Sequence, residues 1–416
     1  MELSEKELSS AEFKATRSNW IQYSKEHCKH LPPGSVTEFK WKDYSPAVFR
    51  LIQELEKIDN NEYEQSICSD DTVRKVCSLA RPGSMCLLSK DDRFTIKTLR
   101  KSEVKVIIGM LPSYYCHLKK FSNTMLNRLY GVHVVKPVGG MKVYFVVGSN
   151  IFQSDKLMHK CYDLKGSLQG RSDNKLRLRE KLILKDPDFD FRFYLDPLIR
   201  HQLLLQIKHD CEFLEAAGIM DYSLLLGLHV KRSHEGSFDS RNIHSTDSSH
   251  RGSLDSRSPC IHMRVCSDLS SKSGLSLKRS ATASSRGSIQ RSSSVMKPSL
   301  RENEERELSF RESWLQTNRS SGFGKEMSAR AVRISTDESR SGSSGHSLRA
   351  RGCYDVLLYF GIVDICQDYG VSKRIEHAYK SLHYNSKMIA AVNPKAYSSR
   401  FQEFISEIFK ADDLLH

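Results

Sequence analysis

Between residues 231 and 350 the chain nearly stops supplying the side chains from which a core is built. Of these 120 positions 33 are serine, and Leu, Ile, Val and Phe together fill only 18. That share falls below the roughly 20% at which a segment buries enough apolar surface to offset the entropy of ordering its backbone. The tract also holds 21 Lys and Arg against 13 Asp and Glu, a local charge of +8, and stretches such as SATASSRGSIQRSSS show no period. Composition therefore predicts a disordered insert over 231–350 that divides a folded body. The C-terminal piece of that body is expected to begin near Arg351.

The net charge of the whole chain is +14, which favours an anionic partner: nucleic acid, an acidic membrane surface or a phosphorylated substrate. No apolar run approaches the roughly 18 residues that span a bilayer. The first 30 residues are charged throughout and lack a signal-peptide core. The eleven cysteines are scattered without a CxxC pair, a pattern of reduced thiols rather than of disulfides or zinc. These features count against transmembrane, secreted and zinc-finger classes.

Within the body, Ser45 before Pro46 predicts a helix start, with FRLIQELEKI behind it. Strand patterns cover 84–88, 94–99, 131–136 and 143–147, and Ser102 is the expected cap of a helix from Glu103 to about Tyr115. Another helix starts at Pro197, repeats Ile199, Leu203, Ile207, Cys211 and Leu214 at helical spacing, and stops at Gly218. Strands follow over 222–230 and 354–363, and Phe401, Phe404, Ile405, Ile408 and Phe409 mark a last amphipathic helix. The elements do not alternate as in a doubly wound sheet, so the predicted class is α+β.

Four polar features interrupt apolar surroundings. Lys97 lies mid-strand in DDRFTIKTL and needs a counter-charge, which a nucleotide phosphate or a buried carboxylate supplies equally well. Upstream, the turn Pro82-Gly83-Ser84 offers backbone amides to a phosphate, or serves as an ordinary hairpin. Asp221 and Asp364 border apolar strands, where a carboxylate is costly unless it meets a metal, a cation or hydrogen-bond donors. Phosphoryl transfer uses one acidic residue on the attacking hydroxyl and another on magnesium; two strand-end carboxylates capping nearby amides are the plainer reading. In YDLKGSLQGR, Asp163, Lys165 and Arg171 alternate with glycines, as in a surface turn or a site for a charged ligand. There is no GxxxxGK[ST] segment, which excludes a P-loop NTPase.

YDLKGS, IMDYSLL and YFGIVD, in that order and with a polar insert before the last, resemble the phosphatidylinositol phosphate kinase family. The resemblance runs through most of 45–230 and 351–410 and is most like a short plant-type phosphatidylinositol-4-phosphate 5-kinase without MORN repeats. It implies a two-lobed lipid kinase using ATP and Mg²⁺, with an N-terminal extension over 1–40, a first, nucleotide-binding lobe over 41–150 and a second lobe in two pieces, 151–230 and 351–416. On that resemblance Lys97 meets the ATP phosphates, Gly83 and Ser84 fall in the nucleotide loop, and Val147 to Asn150 form the adenine hinge. Asp221 is the implied catalytic aspartate and Asp364 the magnesium ligand, with Asp163 and Lys165 lining the active site. Lys165 and Arg171 would meet the phosphate already on the headgroup. Glu103 is either an ion-pair partner for Lys97 or a helix-dipole cap.

The segment after Asp364 resembles the family's activation loop, where Lys373 and Arg374 suit anionic headgroups. Glu376 stands where 4-phosphate-specific 5-kinases have glutamate, which implies phosphatidylinositol 4-phosphate in anionic membranes as substrate. The implied location is the cytoplasm and the inner face of the plasma membrane. Two departures stand out: ARPGS replaces the usual GKSGS, so a proline removes one backbone donor from the nucleotide loop, and Gly148-Ser149 replaces a Met-Gly pair in the hinge. The insert lacks the base-stacking aromatics of single-strand nucleic-acid binders. It reads instead as a tether for regulatory kinases, at Ser280 and Ser294 for example, or for cytoskeletal partners. A soluble inositol phosphate kinase and a weakly active phosphoinositide-binding scaffold are the alternatives.

Overall fold

The strands of the body pair into two seven-stranded sheets, one from each side of residue 150. The structure, a computed structural model, describes residues 20–24, 38–68, 73–75, 84–167, 183–233, 325–334, 352–370, 373–375, 379 and 392–412. The first sheet contains β1 (Ile21–Tyr23), β2 (Phe39–Tyr44), β3 (Val73–Lys75), β4 (Cys86–Ser89), β5 (Phe94–Leu99), β6 (Leu129–Pro137) and β7 (Val143–Ser149). Their spatial order is β1-β2-β6-β7-β5-β4-β3, antiparallel throughout. The second contains β8 (Lys160–Leu164), β9 (Leu184–Lys185), β10 (Phe191–Leu195), β11 (Ser223–Ser233), β12 (Lys325–Arg333), β13 (Cys353–Val363) and β14 (Phe409–Ala411). Its order is β14-β10-β12-β13-β11-β8-β9, with parallel pairing only at β10–β14 and β8–β9. Helices α1 (Pro46–Leu55), α2 (Asn60–Cys68), α3 (Lys101–Lys120), α4 (Pro197–Ala216) and α5 (Pro394–Ile408) complete the α+β fold. No helix among the described residues is long and apolar enough to cross a membrane.

Several local expectations change. Ser45 does precede α1, but in the left-handed region (φ 44°, ψ 49°) and without a side-chain cap bond. Its carbonyl accepts from Val48 N and Phe49 N instead. Helix α3 starts two residues before Glu103 and runs five past Tyr115, through Pro112; the residue at its N-cap is Arg100, not Ser102. His117, Lys119 and Lys120 in its last turn complement the helix dipole. The segment YDLKGSLQGR, for which a surface turn is one reading, begins inside strand β8, which ends at Leu164, with Tyr162 fully buried. The predicted insert is also too broad, because residues 325–333 form β12 between β10 and β13. A window of 120 residues averaged away a nine-residue strand whose Met327 and Ala331 are buried.

The two sheets are tied by a buried acid. Asp210 of α4 is fully buried and accepts from His117 Nε2 (2.7 Å) on α3, Thr124 Oγ1 (2.6 Å), Met125 N (2.6 Å) and Gln206 Nε2 (3.0 Å). Beyond it, Ile362 N donates to Met125 O (2.7 Å) and Asn127 N to Ile362 O (2.8 Å), so the strand entering the first sheet is stitched to β13 of the second. Asp210→Ala strips one acceptor from four buried donors, an effect of about 3–5 kcal/mol. A thermal melt should fall by about 10 °C; a variant melting with the wild type would show that the joint lies elsewhere.

Candidate active site

Lys97 is a mid-strand residue of β5, flanked by Cys86 on β4 and Val146 on β7. Its side chain is only 21% exposed, and its Nζ donates to Asp364 Oδ1 at the end of β13, 267 positions away in sequence. Burial alone would lower the lysine's pKa, but the Asp364 charge and hydrogen bond reverse that and raise it. The ammonium thus stays charged through neutral pH. Burial pushes the neighbouring Cys86 thiol up to about 11, against the pull of Lys97, so it stays protonated there. Glu103 accepts from Arg100 N at 2.7 Å, which gives it the capping role; the carboxylate that meets Lys97 is Asp364.

Strand register brings the two aspartates together. Ser223 pairs with Val363, so Asp221, just before β11, and Asp364, just after β13, leave the sheet at the same end. Both adopt positive φ, 65° and 63°, a conformation that aspartate tolerates better than most residues and that marks functional sites. Asp221 is gripped by Lys165, whose Nζ donates to its Oδ1 (2.6 Å) and to its carbonyl. Lys373 Nζ lies 4.0 Å from Asp221 Oδ2. Around it, Met220 N donates to Gln367 O (2.9 Å) and Tyr369 N to Gly218 O (3.0 Å). The segment after Asp364 is thereby fastened to the one before Asp221. Tyr222 packs edge-on against Tyr397 and Phe401, and Tyr397 Oη donates to its carbonyl.

A cleft opens between the sheets. Leu129, Val146, Ile151, Phe152, Leu225 and Val363 give it apolar walls, and Lys97, Asp163, Lys185 and Asp364 supply its charges. Ser149 and Asn150 line it as well, whereas Val147 is fully buried in the core and does not. Side chains alternate along a strand, so Val146, and not Val147, faces the cleft. Asn150 is committed to the backbone: its Nδ2 donates to Asp92 O (2.8 Å), and its Oδ1 accepts from Phe152 N (3.1 Å). Ser84 lies outside this cleft, bonded to Thr98, in an adjoining cavity that shares Lys97 and Cys366 with it. Asp221 and Lys165 do not line the cleft but stand beside its charged end. Arg374 is exposed, its guanidinium 5.7 Å from the Tyr369 ring centroid. Gly83, Arg171 and Glu376 lie outside the described residues.

Sequence reasoning missed Lys185, Asn127 and Cys366 in the cleft, and Asp186 behind it. Asp186 Oδ1 accepts from Lys165 N (2.8 Å) and Gly166 N (2.7 Å), and so shapes the turn that carries Lys165. An aspartate before proline signals a turn, but nothing in the sequence names its partner 20 positions away.

The arrangement has relatives. A family model described as "Phosphatidylinositol-4-phosphate 5-Kinase" matches residues 67–408. Among curated proteins, phosphatidylinositol 4-phosphate 5-kinase 10 of Arabidopsis thaliana is 49% identical, with 98% of each chain covered. The putative phosphatidylinositol 4-phosphate 5-kinase 11 of the same plant is 45% identical over 97% of this chain and 98% of its own. Phosphatidylinositol 4-phosphate 5-kinase 1 is 39% identical over 97% of this chain and 50% of its own.

Gly166 offers a direct test of the turn. It adopts φ +66°, and a Cβ there would stand 2.8 Å from Phe404 Cβ. Gly166→Ala should cost about 1–3 kcal/mol, read as a lower Tm; an unchanged Tm would mean that the turn is not held as described.

Proposed function

This chain belongs to the phosphatidylinositol-4-phosphate 5-kinase family, and from that premise we propose that it transfers the γ-phosphate of ATP to the 5-hydroxyl of phosphatidylinositol 4-phosphate, giving the 4,5-bisphosphate. The observation that carries this reading is the Lys97–Asp364 ion pair in a largely apolar cleft that Asp163 and Lys185 also line, with Asp221 held by Lys165 nearby. Apolar walls suit a purine and the charged end suits a triphosphate.

Lys97 binds the phosphates as a fixed cation. Asp221, oriented through Oδ1 by Lys165, accepts the hydrogen bond of the inositol 5-hydroxyl and takes its proton as the oxygen attacks the γ-phosphorus in line. Lys165 and Lys373, both next to Asp221, supply positive charge for the phosphate on the incoming headgroup, together with Arg171. Ser84, from its adjoining cavity, and Gly83 belong to the nucleotide loop, and Asn150 sets the hinge beside the base.

No cluster of three or more His, Cys, Asp or Glu able to hold a metal occurs among the described residues. Magnesium, however, is usually held by one or two carboxylates plus substrate phosphates, and Asp364 and Asp163 on one cleft fit that need. Bound there, the ion would neutralise charge on the β- and γ-phosphates.

Arg374, Ile375 and Tyr379 are exposed, the last two at 65% and 64%. Basic and apolar side chains at one place favour contact with an anionic bilayer. These side chains support a reading of reversible attachment from the cytoplasm to the inner plasma membrane, with Glu376 selecting the 4-phosphate isomer and the Ser-rich tract engaging regulatory kinases or cytoskeletal partners. The test is labelled-ATP transfer to vesicles carrying each phosphatidylinositol monophosphate, beside free inositol phosphates. Asp221→Asn should lower the rate by about 10²–10⁴-fold, and Glu376→Ala should relax the isomer preference. Full activity in Asp221→Asn would remove the assigned base, and transfer to free inositol phosphates alone would favour a soluble substrate.

A further inference from the structure

The two most exposed large apolar side chains among the described residues stand together. Val138, 67% exposed, and Met141, 87% exposed, form the tip of the β6–β7 hairpin. The tip is built as a tight turn. Gly140 N donates to Pro137 O at 3.1 Å, and Gly139 takes φ +72°, the conformation that a type II turn reserves for glycine. The apolar pair is therefore displayed by a fixed loop.

Below the tip the sheet carries lysines in a row. Gln22 pairs with Lys40 and Lys40 with Lys136, while Lys142 comes one step beyond the Val135–Val143 pair, opposite Lys136. Directly opposed residues project from one face, so Lys40, Lys136 and Lys142 form a stripe across three strands, all three exposed. Lys142 Nζ reaches the Trp20 ring, at 5.4 Å from its centroid, on the same face. Like charges directly opposed weaken a sheet, and an anionic partner reverses that penalty. Among the described residues, Glu38 stands at the hairpin end of β2 and Glu103 shares a cavity with Lys142.

Alternation along β6 and β7 shows which face this is. Val146 lies on the Lys142 side of β7, and Lys97 is its cross-strand partner. The lysine row thus occupies the sheet face that, farther along, lines the nucleotide cleft. We propose that the β6–β7 hairpin is a bilayer-insertion element: Val138 and Met141 enter the interfacial region of an anionic membrane while Lys40, Lys136 and Lys142 bind its headgroups. The occupant is a lipid surface, because a protruding apolar tip above a cationic stripe matches the layering of a bilayer, apolar below and anionic at the surface. The inference rests on the membrane-substrate reading above and adds the contact that orients the cleft toward the lipid.

The test is flotation of the full chain with phosphatidylcholine vesicles with or without phosphatidylserine, neither containing a substrate lipid. Wild type should float with the anionic vesicles. Val138→Asp/Met141→Asp should lower that partitioning by about tenfold, and Lys40→Gln/Lys136→Gln by roughly fivefold per lysine removed. Both variants should keep wild-type phosphorylation of a short-chain, water-soluble phosphatidylinositol 4-phosphate within about twofold, since none of the four residues touches the cleft. Two variants that float like the wild type would overturn the proposal, as would a parallel loss of activity on the soluble substrate. A wild type without kinase activity would defeat the proposed function, and the flotation comparison would still decide the hairpin.

Discussion

The contact on which the site depends joins Lys97 of the first sheet to Asp364 of the second. Neither charge is comfortable alone. The lysine sits mid-strand with burial working against its ammonium, and the aspartate closes an apolar strand in a left-handed backbone conformation. A partly buried pair of this kind contributes little net stability over an apolar pair of similar volume, because desolvation offsets the attraction. Its presence at the charged end of a cleft therefore points to chemistry rather than to folding. The proposed transfer gives these same two groups to the nucleotide phosphates and their metal.

Topology makes that contact possible. Lys97 and Asp364 come from different sheets, and the sheets are registered by Asp210 and by the bonds between Met125, Asn127 and Ile362. The same register places Asp221 beside Asp364, since Ser223 and Val363 are cross-strand neighbours. Behind them, Asp186 fixes the turn before Gly166, and Tyr397 and Phe401 of α5 hold Tyr222. One end of the second sheet thus collects Asp221, the Lys165 that holds it and Asp364. The first sheet brings Lys97 to meet Asp364.

Much of this was legible from local patterns. β5 runs over the predicted residues, α4 starts at the predicted Pro197, and the two aspartates do border strands as read. What stayed hidden was partnership at a distance. A lysine in a strand announces that it needs a counter-charge without saying whose, and Glu103, near in sequence, was a natural candidate that the cap at Arg100 takes instead. Val147 stands in a contiguous motif, but strand alternation turns it into the core and leaves Val146 in the cleft. β12 is hidden in a serine-rich tract because nine residues scarcely move the average of 120. Asp186 and Lys185 carry no motif, and only the parallel pairing of β9 with β8 brings them to the site.

The central claim is that Asp364 and Lys97 together form the metal–nucleotide site, and calorimetric titration of a non-hydrolysable ATP analogue into the full chain, with and without magnesium, tests it. Magnesium should tighten binding to the wild type, and Asp364→Asn should abolish that gain while nucleotide still binds without metal. An equal magnesium gain in both proteins would contradict the account.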